Sequence, residues 1–156
     1  MEIKTTRDIA RQILRHRSFS FQEYSQRYAD PTKDLNFVIR EGRLQDPKNR
    51  QNSVDTDDIE LHDIWDEKQK NVLRASRDAY KWAIENGVAK EQARAVLPEG
   101  LTESVMIMSG SLRSFVHYCQ IRMDKATQKE HRIVAEQCWE IIGERFPAII
   151  EALKND

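Results

Sequence analysis

The chain has 156 residues, enough for one domain with one core, and 39% hydrophobic against 33% charged residues describe a folded, polar domain and not a disordered tail. Its 25 basic and 26 acidic side chains leave a formal net charge of −1, which argues against binding nucleic acid by bulk phosphate neutralisation. No apolar run nears the roughly 18 residues of a membrane span, Met1-Glu2-Ile3-Lys4 lacks a signal-peptide layout, and Cys119 and Cys138 show no metal-ligand spacing, so the expectation is a reduced cytoplasmic protein without metal.

Residues 5–16 read as a short helix, with Thr5 or Thr6 as cap and Ile9, Ile13 and Leu14 at helical spacing. From Ser18 to Tyr28 the pattern alternates, with aromatic and hydroxyl residues, as in a strand. Residues 29–57 are polar and carry Pro31, Gly42 and Pro47; the expectation is a long connection with one short strand at Phe37-Val38-Ile39. A long helix is expected over 57–86, capped by Asp57 or Asp58 and ended by Asn86-Gly87. Its apolar stripe is read as Ile59, Ile64 with Trp65, Val72, Ala75, Ala79 and Trp82 with Ala83. A short helix follows at 89–96, stopped by Leu97-Pro98. Val105 to Met108 is either a brief strand or the start of a helix. Two helices, 110–122 and 125–145, and a last turn at 148–154 complete the chain.

Arg outnumbers Lys by 15 to 10, and Arg suits planar, forked recognition of phosphates and carboxylates. The densest polar cluster runs from Gln12 through Arg15, His16 and Arg17 to Glu23, Ser25 and Arg27. Gln12 and Arg15 share a helical face, and on a strand Glu23, Ser25 and Arg27 point to one side. That set of donors and acceptors suits a nucleotide; a solvated helix end followed by an edge strand is the plainer reading. Arg94 lies beside Leu97-Pro98. Ser111, Arg113, His117 and Arg122 form a further group in which Arg113 and His117 align, while Arg122 returns only to within about 180° of them. His62 and His131, set among charges, read as solvated positions. Cys119 and Cys138 read as small packing residues.

Arg15-His16-Arg17, seven residues and then Ser25 resembles the RHRxxxxxxxS signature of the flavin-dependent thymidylate synthases. The likeness extends over RHRSFSFQEYSQRY, Ala93-Arg94-Ala95-Val96-Leu97-Pro98, and Ser109-Gly110-Ser111-Leu112-Arg113 with His117, Arg122 and Gln128, in that order. Departures are Gln22 and Ser111, where the family usually or often has Asn.

The resemblance implies an α+β fold, helix-dominated with a reduced antiparallel sheet, as a single domain over residues 1–156. It implies conversion of dUMP to dTMP, with methylene-tetrahydrofolate as carbon donor, FAD as hydride carrier and NADPH as reductant, in a homotetramer with active sites between subunits. Carried over by position, Arg15, His16, Arg17, Glu23, Ser111, Arg113 and His117 hold FAD. Gln12, Arg15, Glu23, Ser25, Gln26, Arg27, Arg94 and Arg122 hold dUMP, and Arg122 activates the uracil. Family members carry several dozen residues before the signature, so the expectation is an N-terminally short subunit, possible only if a separate chain supplies the missing flavin contacts or if they are lost. Two rivals follow: an incomplete or non-catalytic subunit that needs a partner chain, and a helical nucleic-acid-binding domain using Arg7, Arg11, Arg15 and Arg17 as a basic face.

Overall fold

The computed structural model describes residues 1–25 and 36–154. Its first element is a strand, β1 (Glu2–Thr6), which the sequence reading missed. Ile3 and Thr6 face inward, and the β-branched Ile3, Thr5 and Thr6 suit a pleated, half-buried surface. Helix α1 (Arg7–Ile13) follows at once, shorter than the expected 5–16. Thr6 stands at its N-cap position, but its hydroxyl donates to Asp8 Oδ1 (2.6 Å) and accepts no bond from the helix backbone. After Ile13 the chain turns through Leu14 and Arg15, so the Arg-His-Arg triplet lies beyond the helix.

Strand β2 (Ser20–Glu23) is shorter than the expected 18–28 strand: Ser18, Phe19, Tyr24 and Ser25 are not part of it, and 26–28 lie outside the described residues. It lies antiparallel to β5 (Glu103–Ser109), which also pairs antiparallel with β1, giving the order β1-β5-β2. Ile3 stands opposite Met106 and Phe21 opposite Met108. The segment from Val105 is thus the centre of the sheet, where both methionines are fully buried. In the polar connection, 37–39 supplies only an isolated bridge from Phe37 to Thr102. A small hairpin, β3 (Leu44–Gln45) with β4 (Ser53–Val54), was not foreseen. Asp46 organises its turn, accepting from the Lys48 and Asn49 amides at 2.8 and 3.1 Å.

Helix α2 (Ile59–Glu85) is capped by Asp58, whose Oδ1 accepts from the Leu61 amide at 3.0 Å. It stops at Asn86-Gly87, where Gly87 has φ 76°, a backbone region that favours glycine. Of the expected stripe only Ala83 is buried. Gln69, Leu73, Ser76, Tyr80 and Ala83 face inward, whereas Ile59, Ile64, Trp65, Val72 and Trp82 stay exposed. Helix α3 (Lys90–Ala93) tightens into a 3₁₀ turn over Arg94–Val96. After β5 come α4 (Leu112–Arg122), α5 (Lys129–Arg145) and α6 (Pro147–Lys154).

The core lies between the sheet and the helices. Ile3, Met106 and Met108 pack with Ile9 and Ile13 of α1, Phe115, Tyr118 and Cys119 of α4, and Val134, Cys138 and Ile142 of α5. Burial pushes the Cys119 and Cys138 thiols up to about 12 and about 11, so both are inert packing groups at neutral pH. A smaller cluster of Tyr80, Ala83, Ala93 and Leu97 joins α2 to α3 and the turn after it. Among the described residues no helix is long and apolar enough to cross a membrane.

Candidate active site

Three helix ends meet beside the sheet: the C-terminus of α1, the C-terminus of α4 and the N-terminus of α5. The turn after α1 places His16 against the last residue of α4, and Arg122 Nε donates to His16 Nε2 at 2.9 Å. The His16 ring sits edge-on to Tyr118, with centroids 5.0 Å apart and planes at 85°. A guanidinium has donors only and stays charged, so His16 must offer Nε2 as an acceptor and be neutral. Burial first, and then the charges of Arg122 and His117, hold its pKa below 6.5.

Behind His16 stands His131, fully buried and not a solvated position as the sequence suggested. Its neighbours in the chain are charged, but the helix turns this residue into the core. Burial, followed by the charges of Arg122 and His16, brings its pKa down to about 4. Its Nδ1 lies 3.2 Å from Gln12 Oε1, and Gln12 Nε2 donates to Gln128 Oε1 at 2.8 Å. Gln128 Nε2 donates in turn to Glu130 Oε2 at 3.0 Å. The carboxylate only accepts, so each carboxamide has a fixed sense and Nδ1 of His131 carries the proton. Nε2 of His131 and the Tyr118 hydroxyl are buried without a hydrogen-bond partner among the described residues.

Glu130 is anchored by Arg43, which bonds its Oε1, and by Arg40 Nη1 at 3.1 Å from Oε2. Burial opposes ionisation of Glu130, yet the Arg43 hydrogen bond and the charges of Arg40 and Arg43 hold its carboxyl at about 2. Arg40 also clamps both Asp8 oxygens, at 2.6 and 2.9 Å. Sequence reasoning missed Arg40, Arg43, Glu130, His131 and Tyr118, which come from three separate stretches of the chain. Three open cavities of about 320, 380 and 410 Å³ share Arg40 as a wall, and none of these is lined by His16 or Arg122.

Other expected site residues lie at several places. Arg15 and Arg17 are exposed on either side of His16. Glu23, at the end of β2, accepts from the Ser104 hydroxyl at 2.7 Å and lies 3.8 Å from Arg7. Ser25 follows half-buried, and Gln26 and Arg27 lie outside the described residues. Ser111 caps α4 by accepting from the Ser114 amide at 3.2 Å, and Arg113 and His117 are exposed one turn apart. At 1.5 Å per residue, Arg113 and Arg122 are about 13 Å apart along the helix. Arg94 Nε donates to the Glu91 carbonyl at 3.3 Å, away from the His16 group.

The arginines fall into two kinds. Arg7, Arg11, Arg40 and Arg43 are ion-paired. Arg15, Arg17, Arg94, Arg113 and Arg122 have no carboxylate partner among the described residues. Arg15, Arg17 and Arg122, unpaired around His16, suit an anionic, planar ligand.

The family model described as "Thymidylate synthase complementing protein" matches residues 1–148. A protein named flavin-dependent thymidylate synthase from Synechocystis sp. is 46% identical, over 99% of this chain and 70% of its own length. Paramecium bursaria Chlorella virus 1 has a protein named probable flavin-dependent thymidylate synthase, 44% identical over 98% of this chain and 69% of its own. The fold superposes on a UMP/dUMP methylase, PolB from Streptomyces cacaoi, bound with 5-Br dUMP. The TM-score is 0.77 at 26% identity, covering 99% of this chain and 69% of that one. The reduced antiparallel sheet, the Arg-His-Arg turn and these relatives agree, and the chain belongs to the flavin-dependent thymidylate synthase family of enzymes.

Proposed function

We propose that this chain converts dUMP to dTMP, with methylene-tetrahydrofolate as carbon donor, FAD as hydride carrier and NADPH as reductant. The observation that carries this reading is the Arg122 guanidinium, half-buried, without a carboxylate partner among the described residues and held through Nε by a neutral imidazole. Methylation at C5 of uracil draws negative charge onto N3 and the C4 oxygen. A fixed cation at that edge stabilises the charge as it develops. Arg94 and Arg27 take the phosphate through forked bonds, and Gln12, Arg15, Glu23, Ser25 and Gln26 complete the nucleotide site.

The chemistry of the donor set fits a flavin dinucleotide. Arg15, Arg17 and Arg113 present exposed cations for its phosphates, and His16, Glu23, Ser111 and His117 supply polar contacts. FAD, when bound and reduced by NADPH, would supply the hydride. Ser111 and Arg113 stand at the opposite end of α4 from Arg122, which supports sites shared between subunits of a homotetramer. The exposed apolar residues of α2 support assembly as well.

Arg122→Ala is the direct test. dTMP formation should fall at least a hundredfold, while the melting temperature and the flavin absorbance band stay near those of the unaltered protein. Unchanged turnover removes Arg122 from the reaction. A protein that takes up no FAD, even with a chain supplying further flavin contacts, favours the non-catalytic subunit.

A further inference from the structure

We propose that His16 is a positioning residue for Arg122: a neutral imidazole whose Nε2 takes the Arg122 Nε–H and leaves the Nη1/Nη2 end of the guanidinium to face the pyrimidine. This rests on the role of Arg122 proposed above.

A guanidinium can present two bidentate edges, one through Nε and one Nη, the other through both Nη groups. The His16 bond, at 2.9 Å, occupies Nε and so closes the first edge. The second stays open, since no hydrogen bond engages the Arg122 Nη groups among the described residues. Tyr118 holds the imidazole edge-on at 5.0 Å, and the His131 ring lies 6.2 Å away at 84°. His16 therefore has little freedom to swing its acceptor off Arg122.

The surroundings keep that acceptor unprotonated. Arg122 and His117 face it from α4 and His131 from α5, while Arg15 and Arg17 flank it in the chain. No carboxylate pairs with it among the described residues. A second proton would set an imidazolium against a guanidinium with no counter-charge, and burial opposes it further. His16 is thus neutral at pH 7. As pH falls from 6.5 through its lowered pKa, Nε2 gains a proton, the bond to Arg122 is lost and the two cations separate.

The tautomer can be read without turnover, by NMR of the full chain labelled with ¹⁵N-histidine. His16 should carry its proton on Nδ1 and titrate below pH 6.5, and Arg122→Ala should move that titration upward. An Nε2–H tautomer, or a titration indifferent to Arg122→Ala, overturns the proposal. Turnover gives a second measure. His16→Phe keeps a ring against Tyr118 but removes the acceptor, and kcat should fall about a hundredfold at equal flavin loading, as a misplaced group costs. His16→Gln restores an acceptor that cannot titrate. It should turn over at least tenfold faster than His16→Phe and lose the acid limb of the kcat–pH profile. Equal kcat for the two variants, or an acid limb kept in His16→Gln, overturns the proposal. If the unaltered chain makes no dTMP, the proposed reaction fails, and the NMR result alone then decides whether His16 orients Arg122.

Discussion

At the scale of single residues, His131 shows what it costs to bury a titratable group. Burial chiefly, with Arg122 and His16, sets its pKa at about 4, against 6.5 for an exposed imidazole. The unfolded chain therefore binds the proton more tightly than the folded one. Stability is fully present above pH 6.5 and is lost as pH falls through 4, by on the order of 3 kcal/mol. His131→Leu removes this titration and leaves no buried ring nitrogen without a partner, at the cost of the Gln12 contact. Thermal melts from pH 7 to 4 should show a shallower fall for His131→Leu than for the unaltered chain. Parallel curves would mean that another group drives the acid loss. At this scale Arg15, His16 and Arg17 stood out in the sequence because they are adjacent. Their partners did not, since Arg122 lies 106 positions from His16 and His131 119 from Gln12. No local period reports contacts across such separations.

At the scale of elements, the turn from β5 into α4 depends on Gly110. A Cβ there would lie 2.5 Å from Phe19 Cδ1, 2.9 Å from Cε1 and 3.3 Å from the Ser18 carbonyl. Phe19 cannot retreat, because Phe115 packs against it at 4.8 Å and Phe21 and Tyr118 at about 6 Å. Gly110→Ala should destabilise the fold by about 1–3 kcal/mol, seen as a lower urea midpoint with an unchanged slope. A midpoint equal to that of the unaltered protein would show slack around Phe19. The start and stop of α2 were legible, because Asp58 and Asn86-Gly87 are local signals. Its buried face was not. Gln69, Leu73, Ser76, Tyr80 and Ala83 repeat every three or four residues, but two of the five are polar. Gln69 is satisfied by the Arg40 backbone in both directions, at 2.7 and 2.9 Å, and Ser76 by the Val96 carbonyl at 2.8 Å. A hydropathy count sees those two as solvent-facing. It selects instead the stripe one residue earlier, about 100° around the helix, at Val72, Ala75, Ala79 and Trp82. Strand β1 was hidden differently: its five residues alternate only partly, and Thr5 and Thr6 were read into the helix that follows without a loop.

At the scale of the whole molecule, that misread stripe becomes informative. The chain already buries one face of α2, yet a second face keeps apolar residues at helical spacing in solvent: Val72 is 51% exposed and Trp82 63%. Side chains of this size are worth roughly 1.5–3 kcal/mol each when covered, so a contiguous row of them is a surface with much to gain from a partner. In the homotetramer proposed above, a second copy of α2 is the partner of matching chemistry, and an isologous contact sets the same row against itself. Replacing both Val72 and Trp82 by Glu places like charges opposite one another across that contact. Light scattering coupled to size exclusion should then show the assembly falling to smaller species. Circular dichroism and the melting transition of the separated subunit should persist, because neither residue joins the buried core. dTMP formation should fall with the assembly, since Ser111 and Arg113, given to the flavin, stand at the opposite end of α4 from Arg122, given to the uracil, and each site then draws on more than one copy. An unchanged mass in solution would move the subunit interface off this face of α2.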